Sequence, residues 1–589
     1  MERRKTDILK DAKQLMQKYS ELESGEQIFY VTTCSNNTRG KTWRTSSNTF
    51  EKAWHKVERY LNKTPQLPRW TRIEFQVKTQ RMSAAAGIRR FAQTKRGNYF
   101  GQGIAFRNDG SCSFLQEEIS SNALLVPYKG HKMGLNHAKL EMNLGNIRGY
   151  IKRRNQRIVP NPLAYFDAEW DLFETRGIMI EDGIIHTLET DFFGRGMRKI
   201  TKDNQPEMLK ETIETGMDFL FDQIKEDGSF IYGYYPAYNN PVRGYNGVRH
   251  FSSLYALLET LEYSDLNKRT YPREKLLEKI DKGLEWGLLN LCIEVDGILY
   301  VSEKIKDGHE LKLGGQALGI LALAKYESLT GDDHYHQIML NLVEGLRAYI
   351  DEEGRTVHVL NEDLSVREAF RIIYYNGEAL FALMRAYPLI GDERLLKLGE
   401  LLMDRYIIEG YQRYHDHWLS YSVNELTLYL PKREYFEFGV KNALENLTFM
   451  EERDTAYPTF LELLCAANKM FKRIEESPFA GELFTNDEYR RLREVTEKRA
   501  LHEMRTGHMW PEYAMFFAKP KTIVHGFYSR HDRTRMRIDD AEHFLSGLIN
   551  YTYLRNDVGY HFSHDDSKRT HLEPEMQWTQ QEYSITPQT

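Results

Sequence analysis

The sequence predicts a multidomain chain of mixed class, with an α+β domain over residues 1–200, an all-α region over 201–555 and a polar C-terminal extension over 556–589. Three observations predict it. Short runs that alternate apolar and polar residues, the period-two mark of half-buried strands, are concentrated in the first 200 residues. From about residue 205 the apolar residues recur at helical spacing instead. There, two kinds of helix follow each other in strict alternation, one with a charged face and one apolar nearly all round.

Taken in chain order, MERRKTDILKDAKQLMQKY reads as a charged amphipathic helix without the apolar run and small-residue cleavage site of a signal peptide. EQIFYVTTC and RIEFQVKTQ read as strands on either side of a helix at TFEKAWHKVERYLN. NYFGQGIAF and GIMIEDGIIHTL read as later strands, and LQEEISSNALL and the run from Asn136 to Arg153 as helices. The loop IRRFAQTKRGNYFGQG sets Arg89, Arg90, Lys95 and Arg96 beside Gly97 and Gly101, an arrangement that can cradle an anion on freed backbone N–H groups. A solvated basic loop explains the same residues.

In the second region the charged-face helices are EMLKETIETGMDFLFDQI, REKLLEKIDKGLEWGLLNL, YHQIMLNLVEGLRAYI, ERLLKLGELLMDRYI, REYFEFGVKNALENL and NDEYRRLREVTEKRALHEM. Between them come HFSSLYALLETLEY, GGQALGILALAKYESL, NGEALFALMRAYPLI, DHWLSYSVNELTLYL, TAYPTFLELLCAANKM and DDAEHFLSGLINYTYL. A helix apolar all round has to be buried, and one with a charged face lies outside it. Strand signals nearly vanish here. Six outer helices alternating with six inner ones describe a closed ring of helical hairpins.

On this alternation, and on the loop IKEDGSFIYGYYPAYNNPVRGYN with its DGSF phrase, residues 205–555 resemble the (α/α)6 toroids of the six-hairpin glycosidase-like and terpenoid-cyclase-like enzymes. The resemblance implies an (α/α)6 toroid with carbohydrate chemistry at its mouth. The chain departs from other members of that group. It has no DxDD acid motif of a squalene-type cyclase, and the zinc sets of lanthionine cyclases and protein prenyltransferases cannot be placed on it.

Bulk properties narrow the classes further. Net charge is -5 with acids and bases interspersed, so no basic face points to nucleic acid. No segment reaches the roughly 20 apolar residues of a membrane span. Cys34, Cys112, Cys292 and Cys465 are far apart with no CxxC, which argues against a disulfide scaffold or structural zinc and leads us to expect a cytoplasmic protein. The 36 tyrosines suit a saccharide cleft, where rings stack on C–H faces and hydroxyls hydrogen-bond, though dispersal over core and surface accounts for them equally. No cofactor and no metal is expected. The closely spaced histidines of DDHYH (332–336) and YHDHW (414–418) form neither HExxH nor a full ligand set.

If outer and inner helices alternate, every inner helix runs the same way and all six N-termini open on one end of the ring. The outer-to-inner connections at 227–249, 291–313, 352–376 and 505–539 are long, and helix N-termini offer free N–H groups and partial positive charge. The candidate catalytic residues there are Glu378, Asp416 and Asp540. The candidate substrate-binding residues are Tyr245, Asn246, Arg249, His250, Gln316, Tyr375, Asn376, His417, Trp418 and His543. Asn246, Asn376 and Asp416 are also ordinary N-caps, Arg249 and His250 suit a structural ion pair, and His417 and Trp418 suit a core.

Three functions use that mouth. Two carboxylates across it suit glycoside hydrolysis on an oligosaccharide or a polysaccharide-assembly intermediate. Glu378 would be the acid, because its apolar flanks in YYNGEALFAL favour the protonated form, with Asp416 and then Asp540 as partner. Alternatively Arg249 neutralises a substrate carboxylate while His250, His417, Tyr245 or Tyr375 moves the α-proton, which is uronate lyase or epimerase chemistry. The third is a non-catalytic component of cell-surface polysaccharide assembly that binds a glycan or a partner protein.

Overall fold

The computed structural model describes residues 3–21, 25–94, 100–106, 112–127, 140–155, 169–191 and 194–556. Lys95, Arg96 and Gly97 of the basic loop, and the extension from residue 557 on, lie outside the described residues. The chain forms two compact units. One comprises Met1–Met208, Gly233–Val242 and Met504–Met536, and the other Leu209–Tyr232, Arg243–Glu503 and Arg537–Thr589. Among the described residues no helix is long and apolar enough to cross a membrane, and the four cysteines form no disulfide.

The first unit is α+β. Its main sheet is antiparallel, in the order Lys41–Ser47, Gln27–Cys34, Trp70–Ser83, Glu169–Glu181, Gly103–Ala105 and Ser113–Phe114, with Ile184–Thr187 also paired to Glu169–Glu181. Period-two alternation splits the long strand Trp70–Ser83 between two faces. Ile73, Phe75 and Val77 join Ile178 and Ile180 under the helices Lys5–Ser20 and Phe50–Leu61, against Leu9, Met16, Trp54 and Val57. Arg72, Glu74 and Gln76 point the other way and are just as buried. The two terminal nitrogens of Arg72 meet Glu74 (2.8 Å), Glu117 (2.6 Å) and the Glu512 carbonyl oxygen (2.8 Å) there.

The segment around Glu512 departs from the sequence reading. Residues 505–539 were expected as a loop over the ring's mouth, but Met504–Met536 belongs to the α+β unit. Met515 and Phe516 pack with Tyr30, Phe173 and Met179, and Glu512 pairs with the buried Arg198 (2.9 Å). These partners are more than 300 residues apart in the chain, so local pattern carries no sign of them.

The second unit is helical. Its inner helices are Gly247–Leu266, Leu313–Thr330, Tyr374–Ile390, His417–Tyr429, Thr459–Glu475 and Ile538–Asn556, called first to sixth below. Each packs on the next, and the sixth packs on the first, so the six close a ring. Burial follows the composition: Leu313 to Tyr326 of the second inner helix are all buried, whereas the outer helix Arg273–Asn290 buries only Ile280, Gly283, Leu284 and Gly287.

One feature of this unit was not expected. Cys292–Val295, Ile298–Ile305, Gly308–Lys312, Val359–Asn361 and Val366–Glu368 form a five-stranded antiparallel sheet where plain loops were read. Two Asp-Gly pairs inside alternating runs signal it. At the first, Asp296 and Gly297 both have positive φ (50° and 81°), the conformation of a type I′ hairpin turn.

Candidate active site at the mouth of the helical ring

The starts of all six inner helices meet. Arg249 of the first helix pairs with Asp539 of the sixth (2.7 Å). A Cβ on Gly314 of the second would strike Glu378 Oε2 and the Tyr375 ring of the third. A Cβ on Gly377 of the third would strike Leu419 N, the Trp418 side chain and Asp416 Oδ2 at the start of the fourth. His417 of the fourth lies 3.9 Å from Glu462 of the fifth, which lies 2.9 Å from His543 of the sixth. Glycines at Gly314 and Gly377 are what allow carboxylates to come so close to neighbouring helices.

Glu378 is buried, and its Oε2 has no hydrogen-bond partner. Burial pushes its carboxyl up to about 8, against the opposing pull of the His543 and Arg249 charges. Asp416 is fully buried and caps the fourth helix, accepting from the N–H groups of Trp418 (3.1 Å) and Leu419 (3.3 Å). Burial raises it well above the usual carboxylate range, and the charges of Glu378 and Glu462 add to that, while the two N–H donors oppose it. Asp540 is nearly buried in the first turn of the sixth helix, between Asp539, which takes Arg249, and Glu542, which faces His543 (3.2 Å).

Five predicted contact residues bond to the scaffold, Asn376 through its Oδ1 with its buried Nδ2 unpartnered. Tyr245 Oη accepts from the Phe230 N–H (2.9 Å) and meets His250 Nδ1 (2.8 Å), while His250 Nε2 donates to the Gly283 carbonyl (2.8 Å). Burial holds that imidazole neutral, with its pKa lowered to about 4. Asn246 caps the first helix through the Arg249 N–H (3.0 Å). Gln316 accepts from Val301 N–H (2.8 Å) and donates to the carbonyls of Leu299 (3.0 Å) and Leu342 (2.7 Å). Asn376 Oδ1 accepts from Thr356 (3.0 Å) and His358 (2.8 Å). Arg249 is engaged as well, by Asp539 and by Tyr232 Oη (3.2 Å), the structural ion pair that the sequence left open.

Of the remaining predicted contact residues, Trp418 lines a cavity inside the ring, while Tyr375, His417 and His543 lie beside the buried carboxyls. Tyr375 packs beside Glu378 over Gly314. Trp418, Phe381, Tyr421 and Tyr255 line a narrow cavity inside the ring, with Glu259, Glu462, Glu542 and Ser546 as its polar wall. The His417 and His543 rings are 5.2 Å apart. His543 is raised to about 10 by Glu542 and Glu462, which outweigh its burial. Sequence reasoning did not include Glu259 and Glu462 among the candidates. The signal was the one used for Glu378, an acid inside an apolar helix, as in YALLETL and TFLELLCAA.

No protein family matches the chain, and no curated protein matches it. Solved structures do. A sugar epimerase from a ruminal bacterium is 13% identical at a TM-score of 0.43, covering 60% of this chain and 100% of its own. A D-mannose isomerase is 12% identical at 0.42, covering 61% and 100%. The α-1,6-mannanase GH76A of Salegentibacter sp. HEL1_6, in complex with α-1,6-mannotetrose, is 12% identical at 0.41, covering 59% and 99%.

Proposed function

We propose that the helical unit is a carbohydrate-active enzyme and that its ring mouth protonates a glycosidic oxygen. The observation that carries this reading is Glu378, a buried carboxyl with an unpartnered oxygen in the polar mouth near an aromatic-lined cavity. A carboxyl raised to about 8 keeps its proton at neutral pH and has the acidity a general acid needs there. Asp416 Oδ2 lies against Gly377, the residue before Glu378, and two backbone N–H groups favour its anion. Burial raises Asp416 too, so the assignment of Glu378 as acid and Asp416 as base rests on the two backbone N–H groups that oppose that rise at Asp416 and have no counterpart on Glu378 Oε2. Asp540 stands next in line for the base role. The aromatic wall of Trp418, Tyr421 and Phe381 supplies faces on which sugar rings stack. The uronate reading loses support because Arg249, its carboxylate clamp, is already held by Asp539.

A panel of oligosaccharides and reducing sugars, assayed in D2O, tests the proposal. Hydrolysis is expected, with Glu378→Gln losing turnover by about 100-fold or more while saccharide binding stays within a few fold. Deuterium entering the sugar without bond cleavage would replace hydrolysis by epimerase chemistry. Binding without turnover in the unaltered chain would make the ring a glycan-binding module.

A further inference from the structure

We propose that His417, Glu462 and His543, with Glu542 beside them, form a binding site for a first-row divalent transition-metal ion on the wall of the ring's mouth. The inference goes beyond the saccharide reading and stands without it. One ring nitrogen each of His417 and His543 and one carboxylate oxygen of Glu462 lie within 4.8 Å of one another. His543 Nδ1 is 2.9 Å from Glu462 Oε2 and 3.2 Å from Glu542 Oε1, and His417 Nε2 is 3.9 Å from Glu462 Oε2. Ligands held about 2.1 Å from one ion stand roughly 3.0–3.4 Å apart, so the pair at 3.9 Å closes by about half an ångström, and a pair at the 4.8 Å bound by about 1.4 Å, to share a centre.

The surroundings orient the donors as metal sites do. Asp416 Oδ1 is 3.3 Å from His417 Nδ1, and Nε2 is the ring nitrogen 3.9 Å from Glu462 Oε2. The Tyr421 hydroxyl donates to Glu462 Oε1 (3.3 Å) and leaves Oε2 for the centre. Glu259, Glu462 and Glu542 all line the same buried cavity, a concentration of carboxylates that a divalent cation would neutralise. Two imidazole nitrogens with carboxylate oxygen select Zn2+, Co2+, Mn2+ or Fe2+ over Mg2+ and Ca2+. The four residues come from three inner helices, and YHDHW supplies only one of them.

Titration of the full chain with ZnCl2 and, separately, MnCl2, with no sugar present, reads the site directly. The expected result is about one ion per chain, with affinity falling by about 100-fold in a His543→Gln, Glu462→Gln double variant. The Co2+-loaded unaltered chain supplies a readout that needs no variant to fold, because X-ray absorption should show two imidazole ligands. A stoichiometry below about a tenth of an ion, unchanged affinity in a folded double variant, or a Co2+ shell without imidazole would overturn the proposal. Glu378→Gln is expected to keep the ion while losing turnover, so the failure of either proposal is told apart from that of the other.

Discussion

At the scale of single residues, the mouth depends on how burial treats charge. A carboxylate taken out of water without donors keeps its proton, and Glu378 is in that position, with Tyr375, Asp416, Arg249 and His543 as its titratable or charged neighbours. The consequence for stability has a definite sign. Between 4.5, its ordinary value, and about 8 the folded chain holds a proton that the unfolded chain has released. Stability from this group is therefore greatest below 4.5, falls as pH rises through that window and levels off above it. Glu378→Gln should remove the slope and leave the variant more stable than the parent at pH 8.5, by an amount on the order of 3–5 kcal/mol at most. Urea unfolding at pH 5 and pH 8.5 measures this, and parallel pH dependence in parent and variant would refute it. The apolar flanks of Glu378 made this residue legible in the sequence. Glu462 and Glu542 carried the same signal, but their significance depends on His543 lying between them, and that is a fact of tertiary structure.

At the scale of elements, close crossing of inner helices puts chemistry in reach of several helices at once. The third and fourth inner helices approach so tightly at Gly377 that any side chain there would meet the Leu419 backbone. Gly377→Ala is expected to cost about 1–3 kcal/mol of stability and, by moving the adjacent Glu378, to lower turnover further than stability loss explains. Thermal unfolding together with kcat at a temperature where both proteins are folded checks it, and a neutral substitution would mean the crossing relaxes freely. The helices themselves were legible because their apolar patterns are long and strongly periodic. The five-stranded sheet between inner helices was overlooked, since its strands are short and its Asp-Gly turns lie within what otherwise reads as long polar connections.

At the scale of the whole molecule, each unit is completed by distant chain. The ring closes only when its sixth inner helix packs on its first, with Arg249 and Asp539 joined across that seam. The α+β unit needs residues 504–536, whose Glu512 is buried against Arg198. Glu512→Gln breaks a buried, multiply bonded ion pair and leaves Arg198 with less compensation, so it should destabilise this unit by about 3–5 kcal/mol. Chemical denaturation followed by Trp510, which Arg198 overlies at 4.3 Å, is the measurement. A shift under about 0.5 kcal/mol would show that the pair is replaceable.

The amino-acid order alone determined the class of each region, the alternation of outer and inner helices and the candidate acid Glu378, because burial of a helix or a strand is written in the spacing of its own side chains. Only the tertiary structure decided which polar groups at the six helix starts are used up. Tyr245, Asn246, His250, Gln316 and Asn376 found scaffold partners, while Glu378 kept an unpartnered oxygen and His417, Glu462 and His543 came together from three helices. A hydrogen bond or an ion pair needs a partner a few ångströms away. For these residues the partners stand tens to hundreds of positions along the chain, where no local pattern can announce them.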